Sequence, residues 1–170
     1  NPELMALFLA YERGTFSTNA FIEKVRPFFP NTPSKELISA WNAILLDFPE
    51  HRLEFIESLA KDGSYRLFLL SNTNTLHMTH VAKTMGERRF NRFINCFESV
   101  YLSHEMKMRK PEPEIFRYIL EQCELEPAET FFVDDNLENT QSAALMGIHV
   151  WHLIPEHEDI ITLSKKLSDA

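Results

Sequence analysis

Apolar residues recur at helical spacing through the first fifty positions of the chain. Leu4, Leu7, Phe8 and Tyr11 form one such run, which Gly14 ends. Ser17 or Thr18 is placed to cap a second helix carrying Phe21, Ile22 and Val25, which stops before Pro27. Thr32-Pro33 predicts a third helix start with proline at the first helical position, and Leu37, Trp41, Ile44, Leu45 and Phe48 are expected to form one apolar stripe behind it. No segment before residue 50 has the pattern of a strand.

Beyond residue 50 the pattern alternates. Leu53, Ile56, Leu59 and Ala60 predict a helix ending near Gly63. Arg66-Leu67-Phe68-Leu69-Leu70-Ser71 is a short continuous apolar run between polar residues, as in a buried parallel strand. A helix is expected from about Thr75 to Met85, a short strand at Ser99-Val100-Tyr101-Leu102 and a helix from Pro113 to Cys123. A second buried strand follows at Thr130-Phe131-Phe132-Val133-Asp134, then a helix from Leu137 to Met146 closed by Gly147. The pattern ends with a strand at Ile148-His149-Val150-Trp151 and a C-terminal helix. Strands that alternate with helices imply crossover units, hence an α/β fold with a doubly wound, mainly parallel sheet.

Composition narrows the function classes. The 170 residues carry a net charge of −8 and are 44% hydrophobic, with 14 Phe to fill a core. That acidity argues against a nucleic-acid backbone or an anionic membrane as partner. Any anion site must be built locally. Cys96 and Cys123 lie in apolar stretches at a spacing that fits no metal pattern, and read as reduced, buried thiols. No run is long enough to span a membrane, and the expected setting is cytoplasmic. The chain opens on Asn1-Pro2-Glu3, directly in a helical pattern, and further residues are expected upstream.

Ligands of parallel sheets bind at the carboxyl ends of strands. There the sequence places Ser71-Asn72, then Lys110 within Met108-Arg109-Lys110-Pro111-Glu112-Pro113, then Asp134-Asp135. Adjacent carboxylates repel unless a cation sits beside them, and Mg²⁺ is the hard, oxygen-seeking choice. A lysine and a hydroxyl suit the oxygens of a phosphoryl group.

This order resembles the second, third and fourth motifs of the haloacid dehalogenase superfamily. Within it the chain is similar to the small-cap phosphatases, a group that includes bacterial sugar-phosphate phosphatases and the N-terminal phosphatase domain of epoxide hydrolases. Glu12-Arg13-Gly14-Thr15-Phe16-Ser17 resembles that group's cap signature. The resemblance implies that residues 1–50 are a helical cap and 51–170 a Rossmann-like core. It implies that Ser71 and Asn72 hold the phosphoryl group, that Lys110 neutralises it, and that Asp134 and Asp135 bind Mg²⁺ directly or through water. Asn139 is placed to orient the acidic loop.

It also implies an Asp-x-Asp motif, with the nucleophile first, on a central strand between those ending at Ser71 and Asp134. No Asp-x-Asp occurs in residues 1–170. That strand is therefore expected upstream, since two buried strands with unpaired inner edges are costly.

The expected function is Mg²⁺-dependent hydrolysis of a small organic phosphate through an aspartyl-phosphate, by a monomer or homodimer, with sugar phosphates the substrate class that the resemblance suggests. The alternatives are a catalytically dead binding relative, a 2-haloacid dehalogenase and a receiver-type phosphoacceptor. Receivers place the acid pair first in sequence and the lysine last, the reverse of the order here. Elsewhere, His77 and His80 lie three apart on a helix and read as solvated rather than metal-binding. Trp41 and Phe16 read as core of the cap, Glu12-Arg13 as a local ion pair, and Arg88-Arg89-Phe90-Asn91-Arg92 as surface.

Overall fold

The structure, a computed structural model, describes residues 1–168, which divide into two compact units. The first, Asn1–Lys107, begins with three helices: α1 (Pro2–Glu12), α2 (Thr18–Val25) and α3 (Ser34–Asn42). The Asn1 side chain caps α1 and the Ser17 hydroxyl caps α2, each accepting backbone N–H groups that the helix start would leave orphaned. Tyr11, Phe21, Ile22, Val25 and Leu37 are buried together. Tyr11 stacks on Phe21 at 4.0 Å, and Trp41 meets Phe8 and Phe21 edge-on at 4.7 and 4.9 Å. Aromatic pairs in these geometries add about 1 kcal/mol each beyond their area burial.

Two details at α3 differ from the sequence pattern. Pro33 is the N-cap, with φ −58° and ψ 146°, rather than the first helical residue. The helix stops at Asn42, so the single stripe to Phe48 does not form, and Ile44 is 71% exposed. Pro49 keeps Phe48 out of the helical region, so the segment from Ala43 to Phe48 leads irregularly into the next helix, which begins at Glu50. Phe48 instead packs on Phe93 at 4.9 Å.

The same unit continues with α4 (Glu50–Asp62), β1 (Phe68–Ser71), α5 (Thr75–Met85), α6 (Glu87–Ile94), β2 (Ser99–Leu102) and the single turn α7 (Ser103–Met106). Gly63 closes α4 in the left-handed region. Helix α6 has no counterpart in the sequence reading. Its arginines supply the reason it forms here: Arg89 and Arg92 pair with Glu50 at 2.9 and 2.8 Å, and Arg92 also with Glu57 at 2.7 Å. The basic cluster is thus neutralised by α4. Strands β1 and β2 run parallel, with Ser71 opposite Leu102.

The second unit begins at Met108. It holds α8 (Pro113–Gln122), β3 (Phe131–Asp134), α9 (Leu137–Leu145), β4 (His149–His152) and α10 (Leu163–Ser168). Ile115, Phe116 and Ile119 form the buried face of α8, and Phe116 meets Phe132 edge-on at 5.4 Å. Strands β3 and β4 are parallel, with Asp134 opposite His152. After β4, Glu158 gathers three donors: the Trp151 indole, the Ile154 amide and Lys166.

The α/β class and the parallel sense are those expected. The strands make two separate two-stranded sheets, and among the described residues no strand pairs with both β1 and β3. Cys96 and Cys123 are buried and form no disulfide. No described helix is long and apolar enough to cross a membrane.

Candidate active site

Ser71 ends β1 and, with Asn72, is half-buried. The next two residues are bolted down. Thr73 donates its amide to the buried Ser103 hydroxyl at 2.9 Å, and that oxygen lies 2.6 Å from the Glu12 carbonyl at the end of α1 and 3.0 Å from the Thr73 carbonyl. Asn74, fully buried, caps α5. Its Oδ1 accepts from the His77 amide at 3.1 Å and from the Trp41 indole N–H at 3.2 Å. His77 is buried as well, with Nδ1 3.2 Å from the Asn74 amide nitrogen and Nε2 3.1 Å from the Trp41 carbonyl. The expectation of a solvated His77 is therefore corrected. It sits under Trp41, stacked at 5.2 Å, because its two ring nitrogens satisfy groups that burial would otherwise orphan. That burial pushes its imidazole below the usual histidine range, and the hydrogen bond to the Trp41 carbonyl only partly restores it.

The turn after α1 fits the same rim tightly. Gly14 has φ +64°, and a Cβ there would stand 2.0 Å from the His104 carbonyl oxygen. Lys107 Nζ donates to the Gly14 carbonyl at 2.6 Å. The Glu12–Ser17 signature is thus a close approach of backbone to backbone, which only glycine allows.

In the second unit the structure brings Lys110 and Asp134 together. Lys110 Nζ donates to Asp134 Oδ2 at 2.6 Å, with both side chains more than nine-tenths buried. Asp134 Oδ1 accepts from the Asn136 amide at 2.8 Å and from Asn139 Nδ2 at 2.9 Å. Asn136 also caps α9, accepting from the Glu138 and Asn139 amides. Asn139 therefore orients the acidic loop as expected from its position, one turn into α9. Asp135 is exposed.

The two acids are not equivalent. Asp134 has given three of about four acceptor positions to nitrogen donors. Asp135 faces solvent. Mg²⁺ is commonly held by one or two carboxylates while keeping several waters. The oxygen donors suit such an ion, with Asp135 the more available of the pair. No cluster of three or more His, Cys, Asp or Glu residues with metal-binding geometry occurs among the described residues, so His77 and His80 contribute to none.

Of the residues singled out in the sequence, Ser71, Asn72, Lys110, Asp134, Asp135 and Asn139, the structure brings Lys110, Asp134 and Asn139 into contact; Asn74, Ser103 and Asn136 were not singled out. The Asn-to-helix spacing at 74 and 136 was a usable capping signal. Ser103 had none, because its partners lie far away in sequence.

Comparison with known proteins places these features in context. A family model described as "haloacid dehalogenase-like hydrolase" matches residues 22–147. The D-ribitol-5-phosphate phosphatase of Bacteroides thetaiotaomicron is 27% identical over 146 residues, covering 85% of this chain and 70% of that protein. A crystal structure of a haloacid-dehalogenase-family enzyme of B. thetaiotaomicron, a variant in complex with magnesium and inorganic phosphate, superposes with a TM-score of 0.83. It is 36% identical and covers 92% of this chain and 77% of that one. A predicted hydrolase of the same family from Porphyromonas gingivalis gives a TM-score of 0.80 at 28% identity, over 95% of this chain and 78% of that one.

Proposed function

We propose, from the premise that this chain belongs to the haloacid dehalogenase-like hydrolase family, that it serves in the Mg²⁺-dependent hydrolysis of a small organic phosphate. The observation that carries this reading is the buried Lys110–Asp134 pair with exposed Asp135 directly beside it. Two carboxylates at the end of one strand, one neutralised by lysine and one open, suit a site that takes a divalent cation and a phosphoryl dianion together.

In this proposal Asp135 is the direct Mg²⁺ ligand, and Asp134 acts through water and holds Lys110. The metal would supply charge neutralisation on phosphoryl oxygens. Lys110 offers a cation whose hydration has already been removed, so it interacts more strongly with an anion than a surface lysine does. Ser71 and Asn72 bind phosphoryl oxygens, and residues 1–50 form a cap that excludes water from the reaction. The sequence resemblance gives the nucleophilic role to the first acid of an Asp-x-Asp motif, which residues 1–170 do not contain. The name of the D-ribitol-5-phosphate phosphatase relative supports a polyol or sugar phosphate as substrate.

The test measures phosphate release by the full-length protein from p-nitrophenyl phosphate and D-ribitol 5-phosphate, with Mg²⁺ and after chelation. Turnover is expected only with the metal, and D135N is expected to lower it about 100-fold or more, as for loss of a strong electrostatic contact to the transition state. Release that survives chelation, or survives D134N and D135N combined, overturns the reading.

A further inference from the structure

We propose that His77 is a positioning residue for the phosphate hydrolysis assigned above, a role that rests on that assignment. As a neutral imidazole carrying its proton on Nε2, it fixes Asn74 and through it the Ser71-Asn72 segment, while also holding Trp41 of α3.

The tautomer follows from counting donors. Asn74 Oδ1 faces two N–H groups, the His77 amide and the Trp41 indole, so the side-chain oxygen must stand there. The amide nitrogen is then turned to His77 Nδ1, 3.2 Å away. An NH₂ group only donates, so Nδ1 must accept. The proton therefore sits on Nε2, where the Trp41 carbonyl accepts it at 3.1 Å. Both acceptor positions of Asn74 Oδ1 and both ring nitrogens of His77 are thereby used. A second proton on Nδ1 would face the Asn74 NH₂ group, and the set would break.

The path to the phosphate-binding segment has no slack. Thr73 is the only residue between Asn72 and Asn74, and it is clamped by Ser103. The chain just past Asn72 is thus anchored twice, and loss of the Asn74 anchor leaves the Ser103 clamp to position Asn72 and Ser71. Displacing a binding group by about 1 Å costs up to about 100-fold in rate. The charged or titratable groups acting on His77 are Glu12, at the end of α1, which favours its charged form, and His80, one turn further along α5, which opposes it. Burial outweighs both and keeps the ring neutral.

Three measurements on the full-length protein test this. In long-range ¹H–¹⁵N spectra at neutral pH, His77 is expected to show the Nε2–H tautomer, and an Nδ1–H signature overturns the proposal. H77Q, which keeps an acceptor and a donor but cannot be charged, is expected to retain most of the neutral-pH kcat and to lose the acid limb that His77 gives the wild type. H77F is expected to lower kcat about 10- to 100-fold with a smaller change in KM. An acid limb unchanged in H77Q, or a wild-type kcat in H77F, overturns it. If H77F does not fold, the tautomer and the H77Q profile still decide. H80Q, on the same helix outside the hydrogen-bonded cluster, is the control and is expected to keep the wild-type kcat at neutral pH. Absence of any phosphate-ester turnover in the wild type would instead sink the functional assignment, and the tautomer spectrum separates that result from failure of the His77 arrangement.

Discussion

At the scale of single residues, two positions carry the strongest stability consequences. Gly14 adopts a left-handed conformation with no room for a methyl group against the His104 carbonyl. Gly14→Ala combines backbone strain with a clash that backbone cannot relieve, and is expected to cost about 3 kcal/mol in urea unfolding. Asp134→Asn leaves Lys110 buried without its counter-charge, and is expected to destabilise the second unit by about 3–5 kcal/mol, followed through Trp151 fluorescence. Replacing Lys110 and Asp134 together by apolar residues should recover much of that loss while leaving no activity. Lys110 and Asp134 were legible in the sequence because a lysine before a helix and an acid ending an apolar run are local patterns. Their 2.6 Å approach was not, since it joins residues 24 apart. Ser103 and His77 escaped for the same reason: their roles exist only through neighbours on other elements.

Among the elements, those with a clean apolar period or run were read closely, and those held by side-chain partners were not. Strands β1 to β4 fall where the hydrophobic runs put them, to within a residue or two at their ends. Helix α6 was invisible because its sequence is mostly arginine and aromatic, and its place is set by Glu50 and Glu57 on α4. The closing segment after β4 supplies a pH prediction. The Ile154 amide, then Lys166 and Trp151, hold the Glu158 carboxyl down to about 2. A carboxylate favoured in the folded state contributes stability in full above its ordinary value near 4.5 and loses it as pH falls from there through about 2. Carboxyl ¹³C shifts should show Glu158 titrating well below ordinary glutamates, and K166A should raise its midpoint.

On the scale of the whole molecule, acid sensitivity should begin with histidine rather than with carboxylates. Burial lowers both His77 and His104 below the ordinary 6.5. Groups kept neutral by the fold contribute stability in full above 6.5 and lose it as pH drops below that value. Glu50, Glu57 and Glu98, held down by their arginine partners, join only below 4.5. Urea midpoints of the first unit are thus expected to decline as pH falls below about 6.5, and H77Q is expected to flatten that decline. An unchanged slope in H77Q would assign the loss elsewhere.

The fastenings around Glu12, Gly14 and Trp41 also set terms for recombination between relatives. Residues 1–50 look like a module in the sequence, yet their tie points include Ser103, Lys107, Asn74, His77, Arg89 and Arg92, all outside that segment. A chimaera exchanging only the N-terminal helices would keep sockets shaped for the old plug. One that carries positions 73–77, 89–93 and 103–107 along with the helices transfers the joint intact, with no seam left to rebuild.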